Sequence, residues 1–369
     1  MTPERRKLLR QRLEDFFTAH YGAFDQEESL LRLAHRESQW LRYLGYFAED
    51  KRKRLEATRQ LCPQKVFLAD LHSHSDYSDG TALNMEEISR WAGAFGLDYQ
   101  AVTDHATVEQ KNETIKFPNL GHGIEIMAGQ HHLLILDVDK TIEHSKENES
   151  LADKMAEIRA QGKFPIIAHP CGWRTTTYLP QRVALLHPLE GAFGIEIGNG
   201  AANLFDYYDH TDAAALRLWD RLLLSGKRVI GLGNTDAHNI FAMGLIWNGI
   251  VGEPPQKNRM DKRISQGNHF VSDAPFIFLK INGAQMGEGV EAASGKIEIE
   301  VVAYDSFGLS KLRLKKNGKA FKTEDSTVGS KTLRLKLDDE LDAEWAYFRA
   351  ETFAKDFRKG YTNPIWVRR

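Results

Sequence analysis

Histidines and acidic residues recur in this chain in short clusters that could bind metal ions. His72 and His74 are separated by one residue, and so are Asp236 and His238. Side chains two residues apart in extended backbone point to the same side of a strand, so each pair could bind one ion. Ligand-type residues between these pairs are Asp79, His105, Glu125, His132 and His169. Together these residues predict a metal centre.

The ligand types narrow the choice of metal. Imidazole and carboxylate ligands without thiolate suit Zn, Mn or Fe rather than Cu(I) or an iron–sulfur cluster. The two cysteines, Cys62 and Cys171, are too few for a disulfide scaffold or a four-cysteine zinc site. Nine ligand-type residues exceed what one ion needs, so we predict two or three ions that share a bridging carboxylate, for which Glu125 is the natural choice.

The elements that must position these residues are predicted strands of an α/β fold. Between 65 and about 272, short apolar runs rich in β-branched residues alternate with helix-like segments such as Asn84–Phe95 and Ala213–Leu224, which is typical of β–α units around a parallel sheet or barrel. The predicted strands are Val66–Leu71, Tyr99–Thr103, Leu133–Val138, Phe164–Ala168, Gly194–Ile197, Arg228–Gly233 and Leu245–Val251. Most ligand-type residues fall at carboxyl ends of these strands, where the active sites of such folds lie.

The third strand region requires a choice between adjacent histidines. Glu125 lies in a short strand-like piece, and His131 and His132 open the apolar run that follows. His132 leads directly into Leu133–Val138, so we predict that His132, rather than His131, faces the metal centre.

Composition changes twice along the chain. Apolar residues at three- and four-residue steps among charged neighbours predict an N-terminal helical extension over 1–64. Beyond about 273, alternating strands separated by turn signals, among them Asp305-Ser306, predict a small β-sandwich. Its predicted strands are Phe276–Ile281, Lys296–Ala303, Lys311–Lys315, Thr332–Leu337, Ala346–Thr352 and Ile365–Arg368. We therefore predict three domains, 1–64, 65–272 and 273–369.

The charge balance argues against bulk electrostatic partners. Lys and Arg number 49 against 51 Asp and Glu, which gives a formal net charge of -2. We expect a small-molecule substrate and neither a membrane nor bulk nucleic acid as partner. No export signal or apolar stretch of 18 residues is visible. A cytoplasmic location is therefore expected, and homo-oligomer formation is left open.

The ordered motifs resemble those of the PHP (polymerase and histidinol phosphatase) superfamily of metal-dependent phosphoesterases. The motifs in this chain are HSHSDYSDG, TDH, GIE followed by HLLIL, AHP and TDAH, and they cover about 65–240. The resemblance implies a distorted seven-stranded β/α barrel. Further segments, LWDRLLLSGKRVIGLGNTDAH, QGNHFVSDAPFIFLKINGAQMGE, WAYFRAET and YTNPIWV, resemble the CehA/McbA-type branch, which is named for hydrolases of a carbamate ester. That branch implies a β-sandwich after the barrel.

The resemblance also implies a trinuclear centre with a ligand set for each ion. The first ion would take His72, His74, Glu125 and Asp236. The second would take Glu125, His132 and His169. The third would take Asp79, His105 and His238. Many relatives supply another histidine where this chain has Asp79 in the SDG form of the first motif.

The expected mechanism is hydrolysis by a hydroxide that bridges two ions. Asp236, as ligand and neighbour of that water, is the candidate to orient it and carry its proton. Arg174 follows the fourth strand and could bind a substrate phosphate or carboxylate through its planar guanidinium. The alternatives are a surface arginine without such a role or a salt bridge.

Three further polar residues at strand ends are candidates for supporting roles. Glu196 and Asn199 could orient ligands, and Asn199 could also contact substrate, with loop capping as the alternative. Asp104 precedes His105 on the opposite side of its strand, so a hydrogen-bonding role is expected for Asp104 rather than ligation.

Three functions from different classes fit the sequence. The favoured one is a phosphoesterase that acts on a small phosphate monoester or a nucleotide. The alternatives are a hydrolase of carboxylic or carbamate esters and an inactive metal-binding scaffold. The complete ligand set argues against the scaffold, because buried polar groups without a function are costly to keep.

Overall fold

The computed structural model describes residues 45–78, 83–172, 180–200, 210–240, 242–255 and 259–369. Asp79, Arg174 and most of the predicted N-terminal extension lie outside these residues. The helices of the described chain are α1 (45–61), α2 (Met85–Ala94), α3 (Lys111–Thr114), α4 (Leu151–Ala160), α5 (Pro180–Ala184), α6 (His210–Leu224) and α7 (Met260–Ser265). None of them is long and apolar enough to cross a membrane.

Strands make up most of the regular structure. The first nine are β1 (Val66–Asp70), β2 (Tyr99–Val102), β3 (Leu120–Ala128), β4 (His131–Leu136), β5 (Ile166–Ala168), β6 (Phe193–Asn199), β7 (Val229–Asn234), β8 (Trp247–Val251) and β9 (His269–Ser272). The others are β10 (Phe276–Ile281), β11 (Ala284–Gln285), β12 (Gly289–Glu291), β13 (Lys296–Lys316), β14 (Lys319–Glu340), β15 (Trp345–Ala354), β16 (Lys359–Thr362) and β17 (Ile365–Arg368). The protein is therefore a mixed α/β fold with a large sheet.

Local sequence explains where α2 and α4 begin. The side chain of Asn84 accepts a hydrogen bond from the Glu87 N–H at the start of α2. Ser150 and Asp153 form a reciprocal capping box at the start of α4. Each cap satisfies backbone donors that the first helical turn leaves without partners. The predicted helix Asn84–Phe95 thus matches α2.

The sheet that carries the predicted ligands is mixed rather than parallel. Its backbone pairing runs β9–β8–β1–β2–β3–β4–β5–β6–β7. The pairs β1–β8, β8–β9, β3–β4 and β4–β5 are antiparallel. The reason at β3–β4 is a short connection over 129–130, which can join only antiparallel neighbours. In the sequence, only a short strand-like piece around Glu125 is evident where β3 lies, so this hairpin was not predicted.

The strand ladders do not close into a barrel, so the expected closed barrel is not confirmed. Within the described residues, the only backbone pairing between the chain beyond β1 and the chain beyond β7 is an isolated bridge of Ser73 with Ala237. Side-chain amides span the gap beside β7: Asn248 bonds both the N–H and the C=O of Gly233, at 3.0 and 2.8 Å. Asn363 likewise accepts a hydrogen bond from the Gly231 N–H at 2.7 Å. These amides satisfy backbone groups that a closed ladder would have paired.

The C-terminal strands are longer than expected. The two predicted strands Lys296–Ala303 and Lys311–Lys315 belong to one strand, β13. Its first half pairs with β10 and its second half with β15, with register shifts after Tyr304. The Asp305-Ser306 signal therefore marks an irregular bend where the strand changes partner, and the chain does not reverse there. Because β16 pairs with β9, the C-terminal strands continue the first sheet, and a separate β-sandwich is not confirmed.

Apolar packing connects all three predicted segments. One buried cluster includes Leu55 of α1, Phe95 beside α2, and Phe276 and Leu312 of the C-terminal strands. Polar contacts accompany it: the buried amine of Lys51 donates to the carbonyls of Gly244 and Leu245. Side chains on the two sides of each predicted domain boundary therefore pack together. The three-domain division stays a prediction.

A buried cluster of charged residues joins α6 to the C-terminal strands. The guanidinium of Arg349 contacts both carboxylate oxygens of Asp220 at 2.7 Å and donates to Glu351 at 2.8 Å. Lys315 adds a 2.7 Å contact to Asp220. Burial would raise the pKa of Asp220, but Arg349 and Lys315 lower it below its ordinary value. We call these four residues the Asp220–Arg349 cluster.

Candidate metal centre

The structure brings eight of the nine predicted ligands together at one place. His72 and His74 follow β1, His105 follows β2, His169 follows β5, and Asp236 and His238 follow β7. Glu125 lies within β3 and His132 within β4. Asp79 lies outside the described residues. Three groups of these side chains have ligand atoms within 4.8 Å of one another and could each hold a metal ion.

The inner group consists of His72, His74, Glu125 and Asp236. Asp236 Oδ1 lies 3.1 Å from His72 Nε2 and 3.0 Å from His74 Nε2. The two imidazole Nε2 atoms are 3.1 Å apart, and Glu125 Oε2 is 3.3 Å from each. All four residues are buried. The resemblance assigned these same four residues to the first ion.

An unsatisfied oxygen shows that the inner group fits a cation. Glu125 Oε2 is buried and accepts no hydrogen bond from the described residues. Nitrogen and oxygen ligands about 2.0–2.1 Å from a tetrahedral zinc ion would lie about 3.3 Å from one another. The observed separations of 3.0–3.3 Å match that spacing. The donor atoms therefore suit a divalent transition metal.

Glu125 also faces a second group. Its Oε1 lies 2.8 Å from His132 Nδ1 and 3.1 Å from His169 Nε2, and its Oε2 lies 3.1 Å from His105 Nδ1. The two carboxylate oxygens thus serve different neighbours, as a bridging ligand requires. His105, which the resemblance placed only with the third ion, is also within reach of the second group.

The third group consists of His74, His105 and His238. The ring of His74 stacks between the other two, with centroids 4.4 Å from His105 and 4.3 Å from His238. The resemblance gave this ion Asp79, His105 and His238, so His74 is an addition. His238 Nδ1 contacts the Asp236 carbonyl at 2.8 Å, which orients the ring.

Opposite charges dominate the titration of the buried ligands. Burial alone would lower the pKa of His72, but Asp236, Glu125 and Glu196 raise it well above its ordinary value. Burial likewise opposes protonation of His74, yet the carboxylates raise its pKa to about 9. Burial would raise the pKa values of Glu125 and Asp236, and the histidines hold both well below the ordinary range. A bound cation would take the place of these protons.

Two ligands are among the non-glycine residues with a positive φ in the described chain. Asp236 has φ +50° and His169 has φ +27°, in the left-handed region that non-glycine residues rarely adopt. Such conformations cost of order 1–3 kcal/mol each and persist where the surrounding structure enforces them. Both residues lie just beyond strand ends, and there His169 contacts Glu125 while Asp236 contacts His72 and His74.

The two adjacent histidines of β4 face opposite ways. His132 contacts Glu125, while His131 is buried on the other face with its Nε2 2.9 Å from the Arg182 carbonyl. The alternation of side chains along a strand produces this difference.

Glu196 supports two ligands directly. One oxygen lies 2.9 Å from His72 Nδ1, and the other accepts the His169 N–H at 2.7 Å. Asn199 donates to that second oxygen at 2.9 Å, so the structure places Asn199 against Glu196. A carboxylate on the far nitrogen of a ligand histidine fixes its tautomer and ring orientation.

Asp104 secures the loop that follows His74. Its Oδ1 accepts hydrogen bonds from the Ser75 N–H and the Ser78 hydroxyl, each at 2.7 Å. Its Oδ2 accepts the Ser75 hydroxyl at 2.7 Å. Asp104 is absent from the three groups that could hold metal.

Sequence reasoning missed a polar layer beneath the ligands. Asp70 Oδ1 accepts the N–H groups of His72 and Thr235 at 3.3 and 3.1 Å. Asn234 donates to Glu196 at 2.8 Å and accepts from the Asn248 amide at 2.9 Å. A signal existed for Asp70, because a carboxylate that ends an apolar strand immediately before a ligand pair is unusual for a core position.

The centre opens on one side. The exposed side-chain fraction is 29% for His105, 20% for His132 and 37% for His238, whereas Asp236 has 6% and His72 none. We call His105, His132 and His238 the rim. The rim is therefore the part of the centre that is accessible to solvent.

Comparison with known proteins gives distant likenesses only. No family model matches this chain, and no curated protein matches it. The chain is similar to the crystal structure of PsfC from Pseudomonas syringae PB-5123, with a TM-score of 0.41 and 13% identity over 56% of this chain and 90% of that one. It is also similar to an amidohydrolase from Chromobacterium violaceum with bound sulfate and no metal, with a TM-score of 0.33 and 18% identity over 46% of this chain and 87% of that one. Because both TM-scores are below 0.5, neither likeness establishes a fold or an activity for this chain.

Proposed function

We propose that this chain is a metal-dependent hydrolase that acts on phosphate esters. The observation that carries the proposal is the inner group, in which two imidazoles and two carboxylates converge and Glu125 Oε2 accepts no hydrogen bond from the described residues. Burying such a group is costly unless a ligand compensates it. A cation is the ligand that these donor atoms fit.

The proposed cofactor is two or three divalent ions of Zn, Mn or Fe. The inner group would hold one ion, and Glu125 with His105, His132 and His169 would hold a second. His74, His105 and His238, with Asp79 as the resemblance implies, would complete a third site. When bound, such ions lower the pKa of water toward neutrality and polarise a substrate oxygen.

The chain's own residues would prepare the reaction. Asp236 stays ionised because the neighbouring histidines lower its pKa, although burial alone would raise it, so it can accept a hydrogen bond and orient an attacking water. The partly exposed rim admits the ester. The ligands of the inner group are buried and therefore shielded from bulk water. We propose that Arg174 binds the phosphate group.

The ordered motifs support an assignment to the PHP superfamily and its CehA/McbA-type branch. Under this proposal, 65–272 carries the catalytic centre, 1–64 is a helical extension, and 273–369 is the C-terminal β domain. The polar layer beneath the ligands, which includes Asp70, Asn234 and Glu196, then holds the ligands in position.

A paired assay tests the proposal. Purified protein of measured metal content is given p-nitrophenyl phosphate and p-nitrophenyl acetate in parallel. We expect metal-dependent release of p-nitrophenol from the phosphate ester. Turnover of the acetate ester alone would instead identify a carboxylic ester hydrolase, and turnover of neither ester at any metal loading would favour a scaffold.

A further inference from the structure

A cavity lined by basic side chains lies beside α7. Its volume is about 360 Å³, and in the described chain it is lined by Pro255, Arg259, Lys262, Arg263 and Gln266. Three of these side chains are positively charged and none is negatively charged. Cavities of this size hold small molecules in other proteins. We call it the basic cavity.

The acidic residues nearest to the basic cavity in the described sequence are engaged elsewhere. Glu253 forms an ion pair with Lys65. Asp261, on α7 itself, is buried and accepts the Phe164 N–H at 3.0 Å. Neither carboxylate belongs to the lining of the cavity. The lining is therefore electropositive and attracts anions.

The guanidinium of Arg263 is held in place before any ligand binds. Arg263 is half-buried, and its Nη1 donates to Gln266 Oε1 at 2.9 Å while its Nη2 donates to the Val251 carbonyl. Burial lowers the pKa of Arg263 below its ordinary value, but arginine stays protonated in proteins. These bonds leave further N–H donors of the guanidinium for a ligand. Because the group is already oriented, binding costs less side-chain freedom.

The basic cavity is separate from the metal centre. The Asp261 N–H of α7 donates at 2.8 Å to Asp137, which follows the end of β4, whereas the ligand His132 lies near the start of β4. Phe164 likewise precedes β5, whereas the ligand His169 follows it. A strand rises about 3.3 Å per residue, so His132 and Asp137 are about 15 Å apart. A ligand in the basic cavity therefore does not reach the metal ligands.

We propose that the basic cavity binds a small molecule that carries a diphosphate group. One phosphate group has a charge of about −1.5 to −2 at pH 7, so three positive charges suit two linked groups better than one. Arg259 and Arg263 offer planar donors to phosphate oxygens, and Lys262 adds a point charge. This site goes beyond the proposed function, because its ligand binds away from the residues that would hold metal.

The first test measures pyrophosphate binding by isothermal titration calorimetry. Metal-free protein is used, and the ionic strength is kept constant with sodium chloride. The wild type should bind about one equivalent, and Arg259→Met/Lys262→Met should bind at least about tenfold more weakly, because charge-assisted contacts are lost. Both residues are exposed, so this double variant keeps the apolar packing of α7.

The matched control is Arg334→Met/Lys336→Met. It removes one arginine and one lysine from exposed positions of β14, so the net charge changes equally. The control should bind pyrophosphate like the wild type. An equal loss of affinity in both double variants would show general charge attraction only and would overturn the proposal. Unchanged affinity of Arg259→Met/Lys262→Met, or no binding by the wild type, would overturn it as well.

Two further titrations test the ligand class and the place of binding. Inorganic phosphate should bind at least about tenfold more weakly than pyrophosphate, because it makes fewer charge-assisted contacts. Equal affinities would contradict a diphosphate site. His105→Ala, at the rim of the metal centre, should keep the pyrophosphate affinity of the wild type. A loss of affinity in His105→Ala alone would place the anion at the metal centre and refute the proposal. No turnover is measured, so these outcomes do not depend on the proposed function.

Discussion

Two buried clusters of charged residues in this protein differ in how their charges are compensated. In the Asp220–Arg349 cluster, each carboxylate oxygen of Asp220 receives a guanidinium or ammonium donor at 2.7 Å. In the inner group of the metal centre, carboxylates and imidazoles converge, and Glu125 Oε2 accepts no hydrogen bond from the described residues. The first cluster is complete without any other molecule, whereas the second has donor atoms that could hold a cation.

This difference shows that buried charge alone does not identify a functional site. Both clusters shift pKa values strongly: Arg349 and Lys315 lower the pKa of Asp220, and the histidines lower that of Asp236, in each case against the effect of burial. Only the metal centre combines such shifts with converging lone pairs and with strained backbone at Asp236 and His169. We infer that the Asp220–Arg349 cluster stabilises the fold and that the metal centre does the chemistry.

The largest effect is expected when a ligand of the inner group is removed. His72→Ala should abolish turnover of phosphate esters and reduce the metal content by at least one equivalent, because half of the same-side histidine pair is lost. Steady-state kinetics and elemental analysis of the same sample provide the measurement. His187→Ala, at an exposed histidine outside the three groups, is the control. Near-normal activity of His72→Ala would refute the assignment of the inner group.

The second prediction concerns the Asp220–Arg349 cluster. Arg349→Met should lower the free energy of unfolding by about 3–5 kcal/mol, because Asp220 and Glu351 lose a buried partner. Denaturant unfolding measures the loss, and metal content per folded chain should stay that of the wild type. Arg334→Met, which breaks a surface pair with Glu300 at 3.8 Å, should cost about 0–1 kcal/mol. If Arg349→Met loses metal without losing stability, the division between the two clusters is wrong.

A smaller effect, on metal affinity, is expected when Glu196, which contacts the ligands, is changed. Glu196→Gln keeps the shape of the side chain but weakens its contact with His72, so metal affinity should fall about 10- to 100-fold. Competition with a chelator of known affinity gives the value. Glu190→Gln, at an exposed position of the same region, should leave the affinity unchanged. Equal affinities for Glu196→Gln and the wild type would show that Glu196 only fills space.

The smallest effect is expected at Arg174. Arg174→Ala should raise KM for phosphate esters about tenfold through loss of a charge-assisted contact, while metal content is spared. Kinetics over a range of substrate concentrations separate KM from kcat. Kinetics identical to those of the wild type would make Arg174 a surface residue.

The convergence of the candidate ligands could be predicted because spacing and strand ends are local properties. The pairs His72/His74 and Asp236/His238 each follow an apolar run that is evident in the sequence. In the structure, Asp236 Oδ1 lies 3.0–3.6 Å from a ring nitrogen of each of the three histidines. The choice of His132 over His131 rested on the position of His132 directly before the apolar run Leu133–Val138.

The sharing of ligands and the topology depend on long-range contacts, which a single sequence does not display. That His105 reaches Glu125 depends on the bridge between their backbones beside β2 and β3. That Asn363 bonds Gly231 of β7 depends on a contact between residues 132 positions apart in the sequence. The parallel barrel was expected because each strand alone fits it, whereas the pairing partners are decided by the whole fold.

Elemental analysis of the purified protein by plasma mass spectrometry tests the central claim most directly. The account predicts two to three equivalents of Zn, Mn or Fe per chain in the wild type, retained in Arg349→Met and reduced in His72→Ala. Less than one equivalent in the wild type, not restored by added metal, would contradict it.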